Sequence, residues 1–272
     1  MRSFLLTLLL LPAFLSAQIQ AISAPLTIGE TLSLQSKILG EERKLNVYLP
    51  TYYQYDSLKN YPVIYLLDGS MDEDFMHVAG LVQFCSFSWI NDLPESILVG
   101  IANVDRKRDF TYPTRNRKDR KEFPTTGGSA KFIDFLKNEV QPLINERFRT
   151  NDTTTIIGQS LGGLLATEIL FKQPALFDNY VIISPSLWWD DQSLLKYPLN
   201  SRALTKNIFV GVGKEGEIME NDARALYNKV KAREDGINHI HFQYFPQRDH
   251  GDALHEALYR AFELLFKLKN LE

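Results

Sequence analysis

The run TTTIIGQSLGG, residues 153–163, narrows most what this chain can become. Five residues suited to a strand lead into a serine set between glycines, and a helix-ready segment follows. A strand ending at Ile156-Ile157 turns gently by preference, yet Gly158-Gln159-Ser160-Leu161-Gly162 demands a sharp reversal. Glycines two before and two after a serine relieve crowding around a residue held in a strained backbone conformation. The pattern predicts a strand–turn–helix elbow that lifts the Ser160 oxygen above a sheet. Chemistry at that oxygen then requires a base, an orienting acid and hydrogen-bond donors from elsewhere in the chain.

The flanking sequence supplies the sheet. LTIGETLSLQSKIL and RKLNVYLP alternate as antiparallel strands with a turn at Gly40-Glu41, and YPVIYLLDG is the near-continuous apolar run of a strand covered on both faces. Residues 71–87 predict a helix and SILVGIANV a second buried strand. Residues 129–148 have helical spacing, with Pro142 as a kink or early stop. After the elbow come a helix over 161–172, the strands YVIISPS and NIFVGVG, a helix near 219–232, HIHFQYFP, and a last helix over 252–268. Two antiparallel strands followed by alternating β and α units predict an α/β class, with a mostly parallel sheet under helices on both faces. That is the order of an α/β-hydrolase. No repeat or Pro/Gly/Ser linker interrupts residues 26–272, which read as one domain.

A hydrophobic content of 44% suits a sizeable core, and a formal charge of −3 argues against a general nucleic-acid binder. The single cysteine, Cys85, excludes an internal disulfide and a thiolate metal cage, and reads as a small buried hydrophobe. At the start, Arg2 precedes FLLTLLLLPAFLSA, a run too short to span a bilayer comfortably. A positive start, an apolar middle and small residues at Ser16-Ala17 predict a secretory signal peptide over residues 1–17, with Ala21 as a later cut. The mature chain is therefore expected in the periplasm or medium, without a stable membrane span.

Serine needs a neighbouring base. Among five histidines His250 is the candidate, because it follows the last strand in a loop opening the last helix, at the carboxyl edge where open sheets build sites. His77 and His255 fall inside helices, and His239 and His241 alternate along a strand without an evident carboxylate partner for a metal. The orienting acid is expected between serine and histidine in chain order. Glu215 leads, Glu217 stands in reserve, and Asp190 or Asp191 after the preceding strand is a variant placement. Oxyanion donors are expected from the backbone of Leu161, directly after the serine, and from Ser70, where Gly69 lets the chain approach closely.

At these residues the sequence resembles the enterochelin-esterase-like putative esterase family of the α/β-hydrolase superfamily. LNVYLP, YPVIYLLDG, RKRDFTYPT, GQSLGG, SPSLWW, GVGKEGEIMEND and RDHGDAL carry the resemblance over nearly the whole mature chain. It implies a serine carboxylic-ester hydrolase with Ser160, Glu215 and His250 at the triad positions. The wider family includes siderophore, feruloyl and acetyl-xylan esterases and mycolyltransferases, so the resemblance does not choose a substrate. Trp188 and Trp189 offer a flat apolar wall for an aromatic acyl or catechol group, with core packing as the plainer role. The basic stretch 105–121 reads as a solvated loop from which Arg106 or Arg108 could hold an anionic substrate.

The expected activity is thus exported hydrolysis of a small-molecule or glycan-linked ester through an acyl-enzyme, a chemistry that requires no metal or organic cofactor. An acyltransferase using the same intermediate, and a non-catalytic binding homologue, are the rival readings.

Overall fold

Side chains two apart on a strand share a face, and the central strands of this chain are apolar at both parities. In the computed structural model, which describes residues 21–199, 206–232 and 240–267, that pattern becomes a single eight-stranded sheet with helices on both sides. Its elements are β1 (Gly29–Gln35), β2 (Glu42–Tyr48), β3 (Tyr61–Leu66), α1 (Phe75–Cys85), β4 (Ile97–Ile101), α2 (Arg106–Asp109) and α3 (Arg117–Glu122). Then come α4 (Ser129–Phe135), α5 (Gln141–Arg147), β5 (Thr150–Gln159), α6 (Leu161–Lys172), β6 (Asn179–Ile183) and α7 (Trp189–Lys196). The chain continues through β7 (Asn207–Gly213), α8 (Glu217–Lys231), β8 (Ile240–Phe245) and α9 (Ala253–Phe266).

The strand order is β1-β2-β4-β3-β5-β6-β7-β8. β2 runs antiparallel to both neighbours and every other pair is parallel. Alternation sorts the core: Ile156, Tyr180 and Ile182 face the α4, α6 and α8 side, while Ile157, Val181 and Ile183 face α1 and α9. Each such side chain, fully buried, contributes roughly 1.5–3 kcal/mol. Cys85 is buried among the second group, where burial and the nearby Asp92 charge push its thiol up to about 12. The expected leader over 1–17, and His239, lie outside the described residues. No helix among the described residues is long and apolar enough to cross a membrane.

The helix expected over 129–148 divides at a π turn, Leu136–Val140, between α4 and α5. Pro142 has no N–H for the carbonyl four residues back and its ring crowds that carbonyl, so the widened turn just before it accommodates the ring.

The basic stretch is a correction. It forms the short helices α2 and α3 in place of a loop; most of its cations are exposed as expected, but Arg106 and Arg108 are tied down. Arg43 of β2 is fully buried and donates to Asp109 Oδ2 at 2.7 Å and to Glu41 Oε1 at 2.7 Å. Arg108 donates to Asp109 Oδ1 at 2.7 Å and to both oxygens of Glu41. Phe132 and Phe135 lie under the Arg43 guanidinium at 5.2 and 5.6 Å. Arg108 is therefore engaged by two carboxylates, Asp109 and Glu41.

Removing one member of a buried charge group costs more than the group contributes as a whole, because the remaining charge is stranded. Asp109→Asn, which keeps the shape and removes the charge, is expected to cost about 3–5 kcal/mol in urea unfolding. A loss below about 1 kcal/mol would contradict the network's role in holding α2.

Candidate active site

β5 and β6 lie side by side, with Gly158 opposite Ile182 and Gln159 opposite Ile183. Directly past β5, Ser160 adopts φ 59°, ψ −119°, a region that L residues rarely occupy. Its backbone is held on both sides: its amide donates to Ile183 O at 3.1 Å, and its carbonyl accepts from Leu164 N at 2.9 Å and Ser186 N at 3.0 Å. A Cβ on Gly158 would stand 2.4 Å from the carbonyl oxygen of Gly162, so this glycine is required by the sharp return of the chain. Leu161 is the first residue of α6, a helix buried on every side from Leu161 to Phe171. The first amides of a helix have no intrahelical acceptor, and the helix dipole is positive there.

The next strand end repeats the device. Ser184 follows β6 with φ 44°, donates its amide to Gly211 O at 2.7 Å, and gives its hydroxyl to Glu215 Oε1. Gly213 N also donates to that oxygen at 2.9 Å. The other oxygen of Glu215 meets His250 Nδ1 at 2.5 Å. The Glu215 side chain is 2% exposed and that of His250 48%. Burial pushes the Glu215 carboxyl up, but hydrogen bonds from His250, Ser184 and Gly213 outweigh it and hold the carboxyl below its ordinary value. With Nδ1 engaged, the imidazole has Nε2 available.

Glu215, the first of the four acids considered, is the one that meets His250. Glu217 opens α8 and is exposed. Asp190 accepts from Thr114 Oγ1 at 2.8 Å and Arg115 N at 2.6 Å, and Asp191 from Asn116 Nδ2 at 2.8 Å. Those bonds clasp the α3 segment to a left-handed run, Asp190 to Gln192, at the start of α7.

Ser160, Glu215 and His250 line one open cavity of about 530 Å³ together with Ser186, Trp188, Lys214, Met219 and Asp249. The Ser160 hydroxyl pairs with that of Ser186 at 3.3 Å, and His250 is engaged with Glu215; no direct bond joins serine to imidazole among the described residues. Such contacts are commonly long in the unliganded state. Gln159 joins the pieces. Its side chain donates to His250 O at 2.6 Å, while its own carbonyl accepts from Arg106 Nη2 at 3.3 Å. Arg106 also grips Asp68 through Nε at 2.6 Å and Nη2 at 2.9 Å, which ties the β3 turn to the elbow.

Three expected pocket residues have other work. Trp189 is 0% exposed and donates Nε1 to Tyr112 O at 2.9 Å, so it belongs to the core; Trp188 alone of the pair reaches the cavity, backed by Phe123. Arg108 belongs to the charge network. Gly69 is needed for packing, since a Cβ there would stand 2.3 Å from Gly100 Cα on β4. Neighbouring Ser70 donates its amide to Glu73 Oε2 at 3.2 Å. Ser186, Lys214, Met219 and Asp249 were not singled out in the sequence. SPS and GKEG mark Ser186 and Lys214 only as residues just past strand ends, Met219 lies in the first turn of α8 and Asp249 in the loop before α9, and their convergence is a property of three dimensions.

The family described as Putative esterase matches residues 36–259. The chain is 31% identical over 225 residues to the ferri-bacillibactin esterase BesA of Bacillus subtilis, covering 74% of this chain and 77% of that protein. Over a shorter stretch of 71 residues, 25% of this chain and 24% of the other, it is 41% identical to a siderophore triacetylfusarinine C esterase of Aspergillus fumigatus. Among solved structures, an IroE-like serine hydrolase from Shewanella oneidensis superposes with a TM-score of 0.78 at 30% identity, over 88% of this chain and 80% of the other. The fold is that of the α/β-hydrolases.

The depressed Glu215 carboxyl has a stability consequence of definite sign. Its contribution is complete above the ordinary carboxyl range, about pH 4.3, and is lost as pH falls through the lowered folded-state value. Against Glu215→Gln, the wild type is expected to be more stable by on the order of 1 kcal/mol at pH 7, with that advantage fading towards pH 3. Denaturant titrations of both proteins at the two pH values measure it; an advantage unchanged at pH 3 would contradict the assignment.

Proposed function

The chain belongs to the putative esterase family, hydrolases that act on esters, and from that premise we propose that it is an exported serine esterase working through an acyl-enzyme. The observation that carries the reading is the convergence of Ser160, His250 and Glu215 on one cavity, with the imidazole oriented through Nδ1.

In this reading the Ser160 hydroxyl turns from Ser186 towards His250 Nε2, which takes its proton as the oxygen attacks the ester carbonyl. Ionised Glu215 holds the tautomer and stabilises the imidazolium. Negative charge on the former carbonyl oxygen meets the Leu161 amide at the start of α6, and the Ser70 amide once Glu73 releases it. The leaving alcohol takes the proton from His250, and water repeats the sequence to free the acid. A positioned base typically contributes about 10²–10⁴-fold and an oxyanion donor about 10²–10³-fold.

The names of the relatives point to siderophore esters as the substrate class. Trp188 gives the cavity an aromatic wall and Lys214 a cation, a combination suited to an aromatic or anionic acyl group. The Arg2-led apolar run at the start of the sequence supports export, to periplasm or medium.

Ser160→Ala is expected to abolish both hydrolysis of p-nitrophenyl acetate and covalent labelling by a fluorophosphonate. Folded wild-type protein that resists the label would overturn the serine mechanism and favour a binding role. Glu215→Gln, which presents an amide to Nδ1, is expected to lower kcat by on the order of 10²–10⁴-fold with KM little changed. Trp188→Ala should raise KM for aryl acyl esters while sparing acetyl esters; equal effects on both would remove Trp188 from acyl recognition. Product analysis with added alcohols separates hydrolysis from acyl transfer.

A further inference from the structure

Among the described residues, a cavity larger than the one that holds Ser160 lies elsewhere. A cleft of about 870 Å³ opens where β3, β4 and β5 begin, at the opposite end of the sheet. Asn151, near the start of β5, lines it, and Ser160 follows the other end of the same strand. Nine steps at about 3.3 Å separate the two sites by about 30 Å.

The lining has a distinct chemistry. Trp89 is 75% exposed and stacks on Phe87, centroids 4.6 Å apart at 19°, so the pair forms a fixed platform with one indole face open. Tyr52, 64% exposed, also lines the cleft. An aromatic side chain left this open contributes nothing to the core, so core packing does not account for it. Around the platform stand the amides Asn60, Gln83, Asn91 and Asn151. Asn151 Oδ1 accepts from Thr153 N at 2.9 Å, which leaves its NH₂ group free to donate, and Gln83 reaches Thr51 only at 3.4 Å.

Charge is neutralised within the cleft. Of its lining residues only Lys59 and Glu95 are charged, and they form an ion pair with each other. A charged ligand finds no unpaired counter-charge in this lining, whereas a neutral one needs none. Apolar lipid chains or an apolar peptide face would leave the amide donors and acceptors buried without partners, at a cost. A neutral ligand with flat C–H faces and a rim of hydroxyls satisfies both the indole and the amides.

We propose that this cleft is a binding site for a neutral pyranose-based glycan, with a sugar ring stacked on Trp89 and its hydroxyls bonded to Gln83, Asn91 and Asn151. It is independent of the ester chemistry, since none of these residues lines the Ser160 cavity.

Calorimetric titration of the full chain tests it, with cellohexaose, xylohexaose and maltohexaose as neutral probes and hexagalacturonate as the anionic control. At least one neutral hexaose should bind with a Kd of about 10 mM or tighter. Trp89→Ala should weaken it by about tenfold or more, the usual effect of removing an aromatic anchor. Gln83→Ala, on an exposed helix position where alanine is well tolerated, should weaken it by about three- to tenfold. Both variants should keep wild-type turnover of p-nitrophenyl acetate, and Ser160→Ala should bind the glycan as the wild type does, so failure of one site is distinguishable from failure of the other. No binding of any neutral hexaose, equal binding of hexagalacturonate, or affinity that survives Trp89→Ala would overturn the proposal. Trp89-dependent binding to phosphatidylcholine vesicles in place of the sugars would also overturn it, and would assign the cleft to membranes.

Discussion

The strained backbone of Ser160 is the constraint around which the site is organised. A residue at φ 59°, ψ −119° costs on the order of 1–3 kcal/mol and persists only where its surroundings over-determine it. Here they do: the amide is held by the end of β6, and the carbonyl by α6 and by the loop after β6. Parallel register then carries the arrangement sideways. Because Gly158 lies opposite Ile182, and Ile182 opposite Val210, the ends of β5, β6 and β7 stack at one edge. Ser160 stands past the first, Ser184 past the second and Glu215 past the third, each turned towards the next by its own loop. The Ser184 hydroxyl is the step that joins the second to the third.

The sequence was legible where periodicity and chain order carry the information. Apolar runs gave the central strands, and GQSLGG gave the elbow because it stands between a strand and a helix-ready run. That Glu215 and His250 come to one edge follows from their order after the serine and their position just past strands of a parallel sheet. Illegible were the features set by partners distant in sequence. Nothing local distinguishes Trp188 from Trp189, yet one reaches the cavity and the other is in the core, a difference set by the elements packed around the start of α7. Gly69 was rightly marked as a close approach, but the partner is Gly100 on β4.

The basic stretch shows why charge alone misleads. Eight of its seventeen residues are Lys or Arg, which suggests a solvated face. Two of those arginines nevertheless have fixed carboxylate partners that lie 38 and 67 residues away in the chain. Arg106 and Arg108 project to opposite duties: the first ties Asp68 to the elbow, the second anchors α2 to the buried Arg43–Asp109 pair. Planar guanidinium groups suit both, since a carboxylate can take two parallel hydrogen bonds from one fork. The positive charge of this segment is therefore structural in origin at these two positions.

The remaining joint is the least protected. Ser160 is fixed by backbone bonds between packed strands, whereas His250 stands on a loop whose ties are at the surface. Arg248 bonds Glu256 and Asp252, Asp249 takes the Gly251 amide, and Gln159 reaches across to the His250 carbonyl. Exposed ion pairs contribute little each and weaken with salt. The Gln159 bond is different in kind, because its donor is neutral and its backbone is locked in β5 beside the strained serine. It therefore ties the backbone of His250 to the strand that ends at Ser160, and it is the contact through which the loop is placed relative to the sheet.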